Sequence, residues 1–427
     1  MTKLFTLKKC CFTVLVFSGI HFQTLKAQNK AAVLHDLNTV LVNTIMADNF
    51  SDPVASRIYS YPNIAFYECI RLDDASLPAL TGKLNGLHKL PAPPAGKTDN
   101  LVTAAISFSY VAQSLVRSQN KLESWRQHFM DSLLLKVRGD AELLKNSLIY
   151  GKQIADSISA WASRDNYNQL SSLPKISPSN EAGNWQPTPP NSEAIEPHWN
   201  SIRPFTLTQA SQFSPKEKLV FSLNKQSVFY TGMMEVYKTG KKLDDAQKAA
   251  AKYWDDNKIT SGGHWLMIAK QACLAKGETV NRSSLIYTLT AIASADGFIS
   301  CWDEKFKSNL IRPVTIISSE VDKKWQPYIS TPVSPEFTSS HAVIANAAAA
   351  VLTGLFGDDY TFTDETEIPL GNNSRSFKSF YEAAKESSTS GVYGGIHYPE
   401  TARISIIQGK DVGNNVLKIL YPSVIKQ

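Results

Sequence analysis

Apolar residues return at three- and four-residue steps along most of this chain, while stretches that alternate apolar with polar are scarce. That period lays an apolar stripe along one face of a helix and cannot line one face of a strand. Val33, Leu34, Leu37, Val40, Leu41 and Ile45 show it first. The pattern continues through residues 54–72, 101–117, 121–137, 142–163, 215–239, 245–256, 264–275, 283–302, 341–356, 376–388 and 403–420. The sequence predicts an all-α protein: two helical bundles in one compact unit. With 427 residues, 43% hydrophobic and 19% charged, the chain can bury a large core and is neither disordered nor a coiled coil.

Two segments break the period. Residues 78–98 carry Gly82, Gly86, Pro91, Pro93, Pro94 and Gly96 and read as a loop. Residues 166–204 hold Pro174, Pro178, Pro187, Pro189, Pro190, Pro197 and Pro204, so no regular helix runs there. Trp185, Trp199 and Phe205 punctuate that segment, which predicts a long Pro-rich strap pinned by aromatic side chains, set to close the mouth of a site. The expected organisation is a signal peptide over 1–27, an N-terminal helical region over 28–260 containing both loops, and a C-terminal helical region over 261–427 carrying the chemistry.

The first 27 residues hold Lys3, Lys8 and Lys9, an apolar run from Cys10 to Phe22, and Leu25-Lys26-Ala27 before Gln28. This is the layout of a secretory signal peptide. It predicts export, to a periplasmic or extracellular location. Four lysines of the +6 formal charge, Lys3, Lys8, Lys9 and Lys26, lie in this acid-free leader, leaving +2 for the rest. A charge so near zero argues against a nucleic-acid partner. Past the leader no apolar run reads as a membrane span; the nearest is Ala342 to Phe356, interrupted by Asn346. Cys69, Cys273 and Cys301 allow at most one disulfide and one free thiol, and lack zinc-ligand spacing.

Three C-terminal elements carry candidate chemistry. The first is Lys305 to Pro313, in which Lys305 and Arg312 lie two helical turns apart, and two cations on one side suit an oxyanion. Pro313 biases Arg312 away from helix. The second is Pro335-Glu336-Phe337-Thr338-Ser339-Ser340-His341, followed by an alanine-rich run to Gly357. A buried helix N-terminus capped by Thr338, Ser339 or Ser340 presents free N–H groups to an anion, with His341 at the same end able to donate or take a proton. The third is Ser390 to Pro399, where Gly394-Gly395 allow a tight turn and His397 can serve as nucleophile or metal ligand.

The order of these elements resembles the superfamily of vanadium-dependent haloperoxidases and type-2 phosphatidic acid phosphatases, whose pattern is K-x6-R-P, then P-S-G-H, then S-R-x5-H-x3-D. Lys305, Arg312 and Pro313 match the first part, Ser339 and His341 the second, Ser390 and His397 the third. Ser294-Ala295-Asp296, Cys301-Trp302-Asp303, Gly263-His264-Trp265 and the Trp185–Phe205 strap look like the secreted bacterial haloperoxidase-like branch. The resemblance implies an oxyanion held by Lys305, Arg312, Ser339 and the N–H of Ser340. It implies His397 as the axial ligand of vanadate, a site that phosphate can share, and His341 as acid–base. The implied substrates are small molecules: hydrogen peroxide and a halide, or a phosphate monoester if the chain is instead a soluble acid phosphatase. Gly391 stands where the family has arginine and Thr401 where it has aspartate, which leaves a degenerate non-catalytic relative as a further reading. Arg375 or Arg403 would be the replacement cation, Glu400 would orient His397, and Asp296 would pair with Lys305 or Arg312. His264 reads as structural.

Overall fold

Most of the periodic runs become helices, and capping side chains set many of their ends. The computed structural model describes residues 15–136, 140–177, 179, 181–190 and 193–423, with the side chains of 15–29 and 134–136 outside the description. Residues 1–14 of the expected signal peptide therefore lie outside the described residues. From Leu15 the backbone is helical through Ala27 and on to Ala47, forming α1 (Leu15–Ala47). α2 (Asp52–Ile70) starts with proline in its first turn. α3 (Asn100–Leu115) and α5 (Ala141–Ala162) begin at Asp99 and Asp140, whose carboxylates accept N–H groups of the first turn. α4 (Gln119–Lys136) lies between them, and α6 (Tyr167–Leu170) is a single turn. The expected helix over 215–239 starts only at Val228, where Ser227 caps α7 (Val228–Lys241). α8 (Asp245–Tyr253) has a capping box of Asp244 with Gln247, and α9 (Ser261–Lys276) is capped by Thr260.

The C-terminal half adds α10 (Val280–Ser308), α11 (Pro313–Glu320), α12 (Ser340–Phe356), α13 (Phe380–Tyr393) and α14 (Pro399–Leu420). The helix expected over 376–388 begins later, at Phe380, with Ser379 as its cap. Residues Arg375–Phe377 instead pair antiparallel with Phe362–Asp364, putting Phe362 opposite Phe377.

α12 is the axis of this half. Its first fifteen positions are buried apart from Gly354, and it packs against α14, α10 and α13. The approach of α14 is very close: a Cβ at Gly409 or Gly413 would lie 2.3 or 2.4 Å from the carbonyl oxygens of Val343 and Ala347. α10 is long and apolar enough, by length and composition, to cross a membrane, against the expectation that no run past the leader is; its apolar stretch is wholly buried in this fold. It packs against α2 on one side and α12 on the other, so the two halves share one core.

The Pro-rich segment is a strap, as its aromatics suggest. Trp185, Trp199 and Phe205 are all buried. Its beginning is tied by Asp165, which accepts from Arg57 Nε at 2.6 Å and Tyr61 Oη at 2.8 Å, all buried. Its middle pairs with the link after α10: Trp185 N–H donates to Asn309 O, and Ile311 N–H to Gly183 O. Its end is held by Asp296, which accepts from the N–H groups of Phe205 and Thr206 and from Thr206 Oγ1. The partner of Asp296 is thus strap backbone rather than Lys305 or Arg312. The three described thiols are all free.

Candidate oxyanion site

Lys305 lies near the end of α10, but α10 stops at Ser308 because Asn309 adopts a left-handed conformation (φ 46°). Arg312 is extended (φ −77°, ψ 151°) and caps α11, as its following proline demands. The two cations therefore do not share a helical face; a strap-bound link of non-helical backbone turns them toward each other. Both are fully buried. Lys305 Nζ donates to the carbonyls of Pro335 (2.9 Å) and Glu336 (3.3 Å). Arg312 donates to Ser334 O, Ser334 Oγ and Ile396 O. Among the described residues neither cation has a carboxylate within ion-pair distance. Burial, and then the charge of Arg312, pulls the Lys305 ammonium down to about 7, and burial pulls Arg312 to about 10. Two buried cations without an ion-paired carboxylate invite an anion.

His397 follows α13 in the turn before α14, where Gly395 takes φ 78°. Its Nδ1 lies 2.9 Å from Glu336 Oε1, and its Nε2 lies 3.3 Å from Arg312 Nη1. A carboxylate at Nδ1 favours the tautomer whose Nε2 carries the lone pair. Glu336 also accepts from the Tyr398 N–H (3.0 Å) and from Thr401 Oγ1 (2.8 Å). Burial raises Glu336 to about 7 against the opposing pull of Arg312, while burial and then Arg312 and Lys305 hold His397 well below the usual imidazole range.

The residue that orients His397 is therefore Glu336, not Glu400, which pairs with Arg403. Thr401 is the donor that matches Glu336: the carboxylate sits on the loop before α12, and position 401 turns a hydroxyl to it. Sequence reasoning passed over Glu336 although it stands inside the quoted motif. The available signal was an acid in a segment otherwise free of exposed character, immediately before a buried helix.

Ser339 is the N-cap of α12. Its Oγ accepts from Ala342 N–H at 3.4 Å and its own N–H donates to Ser405 Oγ at 2.9 Å. Thr338 Oγ1 donates to Gln408 Oε1 (2.8 Å), so α14 clamps the loop that α12 begins with. Ser340 and His341 are buried in the first turn, where backbone N–H groups have no intrahelical acceptor. The rings of His341 and His397 lie 6.5 Å apart. Neither ring nitrogen of His341 has a hydrogen-bond partner, though both are buried; Asp256 Oδ2 stands 3.2 Å from Nε2 without hydrogen-bond alignment.

All six residues singled out from sequence, Lys305, Arg312, Ser339, Ser340, His341 and His397, come together here from four separate elements. The expected substitutes for a missing third cation do not. Arg375 pairs with Glu386, and Arg403 pairs with Glu400 and Glu217 at the surface. Gly391 lies in α13 directly against His397; a Cβ there would sit 3.0 Å from the ring Cδ2. His264 is bound to Asp364 at 2.7 Å and stacks on Trp254. Among the described residues no three His, Cys, Asp or Glu side chains converge on a metal cation. The donor set at this site is instead cationic and N–H-rich, which suits an oxyanion.

A family model, the VCPO second helical-bundle domain, matches residues 285–424. Among solved structures the chain is similar to a bacterial vanadium-dependent iodoperoxidase, at 40% identity and a TM-score of 0.87, over 92% of this chain and 97% of that one. It shares the fold of a bacterial vanadium-dependent chloroperoxidase, solved as the holo form (17% identity, TM-score 0.69, 88% of this chain and 93% of that one). The apo form of that enzyme gives 15% identity and a TM-score of 0.67 over 88% of this chain and 95% of that one. No match is found among curated proteins.

Proposed function

This chain belongs to the vanadium-dependent haloperoxidases, and we propose that it oxidises a halide with hydrogen peroxide at the site between Lys305, Arg312, His341 and His397. The observation that carries this reading is the pair of fully buried cations with no ion-paired carboxylate, one of them, Arg312, 3.3 Å from the Nε2 of a histidine whose Nδ1 faces Glu336. The residues present fit vanadate: one imidazole nitrogen that would serve as its protein ligand, two cations against the oxyanion charge, and a buried helix N-terminus. The orphaned nitrogens of His341 fit it too, since a bound group would satisfy them.

Bound vanadate supplies the Lewis acidity that activates peroxide toward halide. His397 Nε2 would be its protein ligand, with the Glu336 carboxylate keeping the proton on Nδ1 and the ring in place. Lys305 and Arg312 offset negative charge, and Ser339 Oγ and the Ser340 N–H orient the oxyanion. His341, held beside Asp256, takes and returns a proton at a ring nitrogen.

Iodide is the halide we assign. It is the most easily oxidised of the common halides, which suits a site with Gly391 in place of a third cation, and the relative at 40% identity is named an iodoperoxidase. The leader at 1–27 supports action outside the cytoplasm.

The test is iodide oxidation by purified protein reconstituted with vanadate and given peroxide. Activity that needs vanadate and is lost in His397→Ala supports the reading. Hydrolysis of a nitrophenyl phosphate without iodide oxidation overturns it in favour of a phosphatase, and silence in both assays overturns it in favour of a non-catalytic relative.

A further inference from the structure

Gln408 is buried on α14, and its amide joins the two elements that carry the candidate oxyanion donors. Nε2 donates to Ser300 O (3.1 Å) and Ser300 Oγ (3.0 Å), on α10 and five residues before Lys305. Oε1 accepts from Thr338 Oγ1 (2.8 Å), on the loop that delivers Ser339, Ser340 and His341. These partners fix the orientation of the amide. Ser300 O can only accept, so the nitrogen faces α10 and the oxygen is left for the threonine hydroxyl. The side chain projects from backbone pressed against α12, since the next residue is Gly409, which lies too close to Val343 O to carry a Cβ. Thr338 stands where the family pattern has proline, so no ring fixes its backbone. Its other side-chain neighbour, Cys301 Sγ, is 3.5 Å away.

We propose that Gln408 is a positioning residue for the candidate site: acting through Thr338, it sets the separation between Lys305 on α10 and the Ser339–Ser340 start of α12. The inference rests on the reading of Lys305, Ser339 and Ser340 as oxyanion donors. An anion held by donors from two elements is sensitive to their spacing, because each hydrogen bond weakens when it is stretched or bent. Lys305 also ties the loop to α10, through Pro335 O and Glu336 O, but with ammonium hydrogens that a bound oxyanion would compete for. The Gln408 tie uses none of the donors assigned to the anion, so it holds the loop whether or not the anion is bound. Ser405 Oγ accepts the Ser339 N–H and supports the same loop one residue later. Loss of the Gln408 tie therefore loosens the start of α12 rather than freeing it.

Calorimetry of tungstate, a tetrahedral oxyanion, binding to the vanadate-free full chain tests this, with urea unfolding measured on every variant. Gln408→Leu removes both polar atoms of the amide and is expected to raise the tungstate Kd about tenfold. Thr338→Val removes only the hydroxyl and is expected to raise it by a similar factor; it decides the matter if Gln408→Leu does not fold. Thr338→Ser keeps the hydroxyl and is expected to bind within about twofold of the unmodified chain. The double variant Gln408→Leu/Thr338→Val is expected to bind no more weakly than the worse single variant, because both substitutions remove the same tie. Unchanged affinity in Thr338→Val, equal losses in Thr338→Val and Thr338→Ser, or additive losses in the double variant overturn the proposal. So does a loss of unfolding stability with the Kd unchanged, which is what a purely structural bond gives. If the unmodified chain binds no tungstate, the oxyanion reading falls and the positioning role falls with it; binding by the unmodified chain and equally by the variants overturns the positioning role alone.

Discussion

Lys305 turns the electrostatics of the site into a measurable slope. Its ammonium is fully buried beside Arg312, which together pull it down to about 7 from the ordinary lysine value. An oxyanion seated between these cations favours the charged form, so binding above neutral pH must take up a proton. The protonated fraction of the free site falls from about one-half at pH 7 to about one-hundredth at pH 9. For an anion that does not titrate over that range, the Kd then rises about 50-fold, equivalent to about 2.3 kcal/mol. Glu336, raised to about 7 by burial, ionises across the same interval and adds repulsion, so it steepens the slope rather than cancelling it. Tungstate is a suitable probe. Calorimetry in two buffers of different ionisation enthalpy counts the protons taken up, with at least one expected near pH 8.5. Lys305→Met should bind more weakly at pH 7 and retain only the part of the slope that Glu336 imposes. A Kd that is flat from pH 7 to 9, or no proton uptake by the unmodified chain, would refute the reasoning.

Two substitutions probe the surroundings of His397. Thr401→Asp restores the acid of the family pattern but sets a second carboxylate against Glu336 in a buried place, and should cost about 3–5 kcal/mol of stability by urea unfolding. No loss would show that Glu336 is not ionised against position 401. Gly391→Ala puts a Cβ 3.0 Å from the His397 ring, so vanadate affinity by calorimetry should fall about tenfold, while the helix itself gains up to about 1 kcal/mol. Unchanged affinity would show that the ring has room to move. An arginine at position 391 would start from the same Cβ, 3.0 Å from the His397 ring, so restoring the family residue crowds that ring as well as adding a cation.

Much of this architecture is written in local sequence. The three- and four-residue period marked most of the helices, and proline density with interspersed tryptophan marked the strap, because helix formation and proline exclusion depend on residues a few positions apart. The same holds for the six residues of the candidate site. Lys305 and Arg312-Pro313, Ser339 and His341, and His397 after its glycine turn each sit at a helix end whose signals are short-range.

What only the tertiary structure decided is who stands opposite each buried charge. Glu336 rather than Glu400 holds His397, and strap backbone rather than a cation satisfies Asp296. Arg375 and Arg403, close in sequence to the missing cation, turn to other acids. A periodic pattern specifies which face of a helix is buried, but the partner of a buried polar group is chosen by which distant element packs there. That choice rests on the close fit of α14 to α12 and of the strap to the link between Lys305 and Arg312.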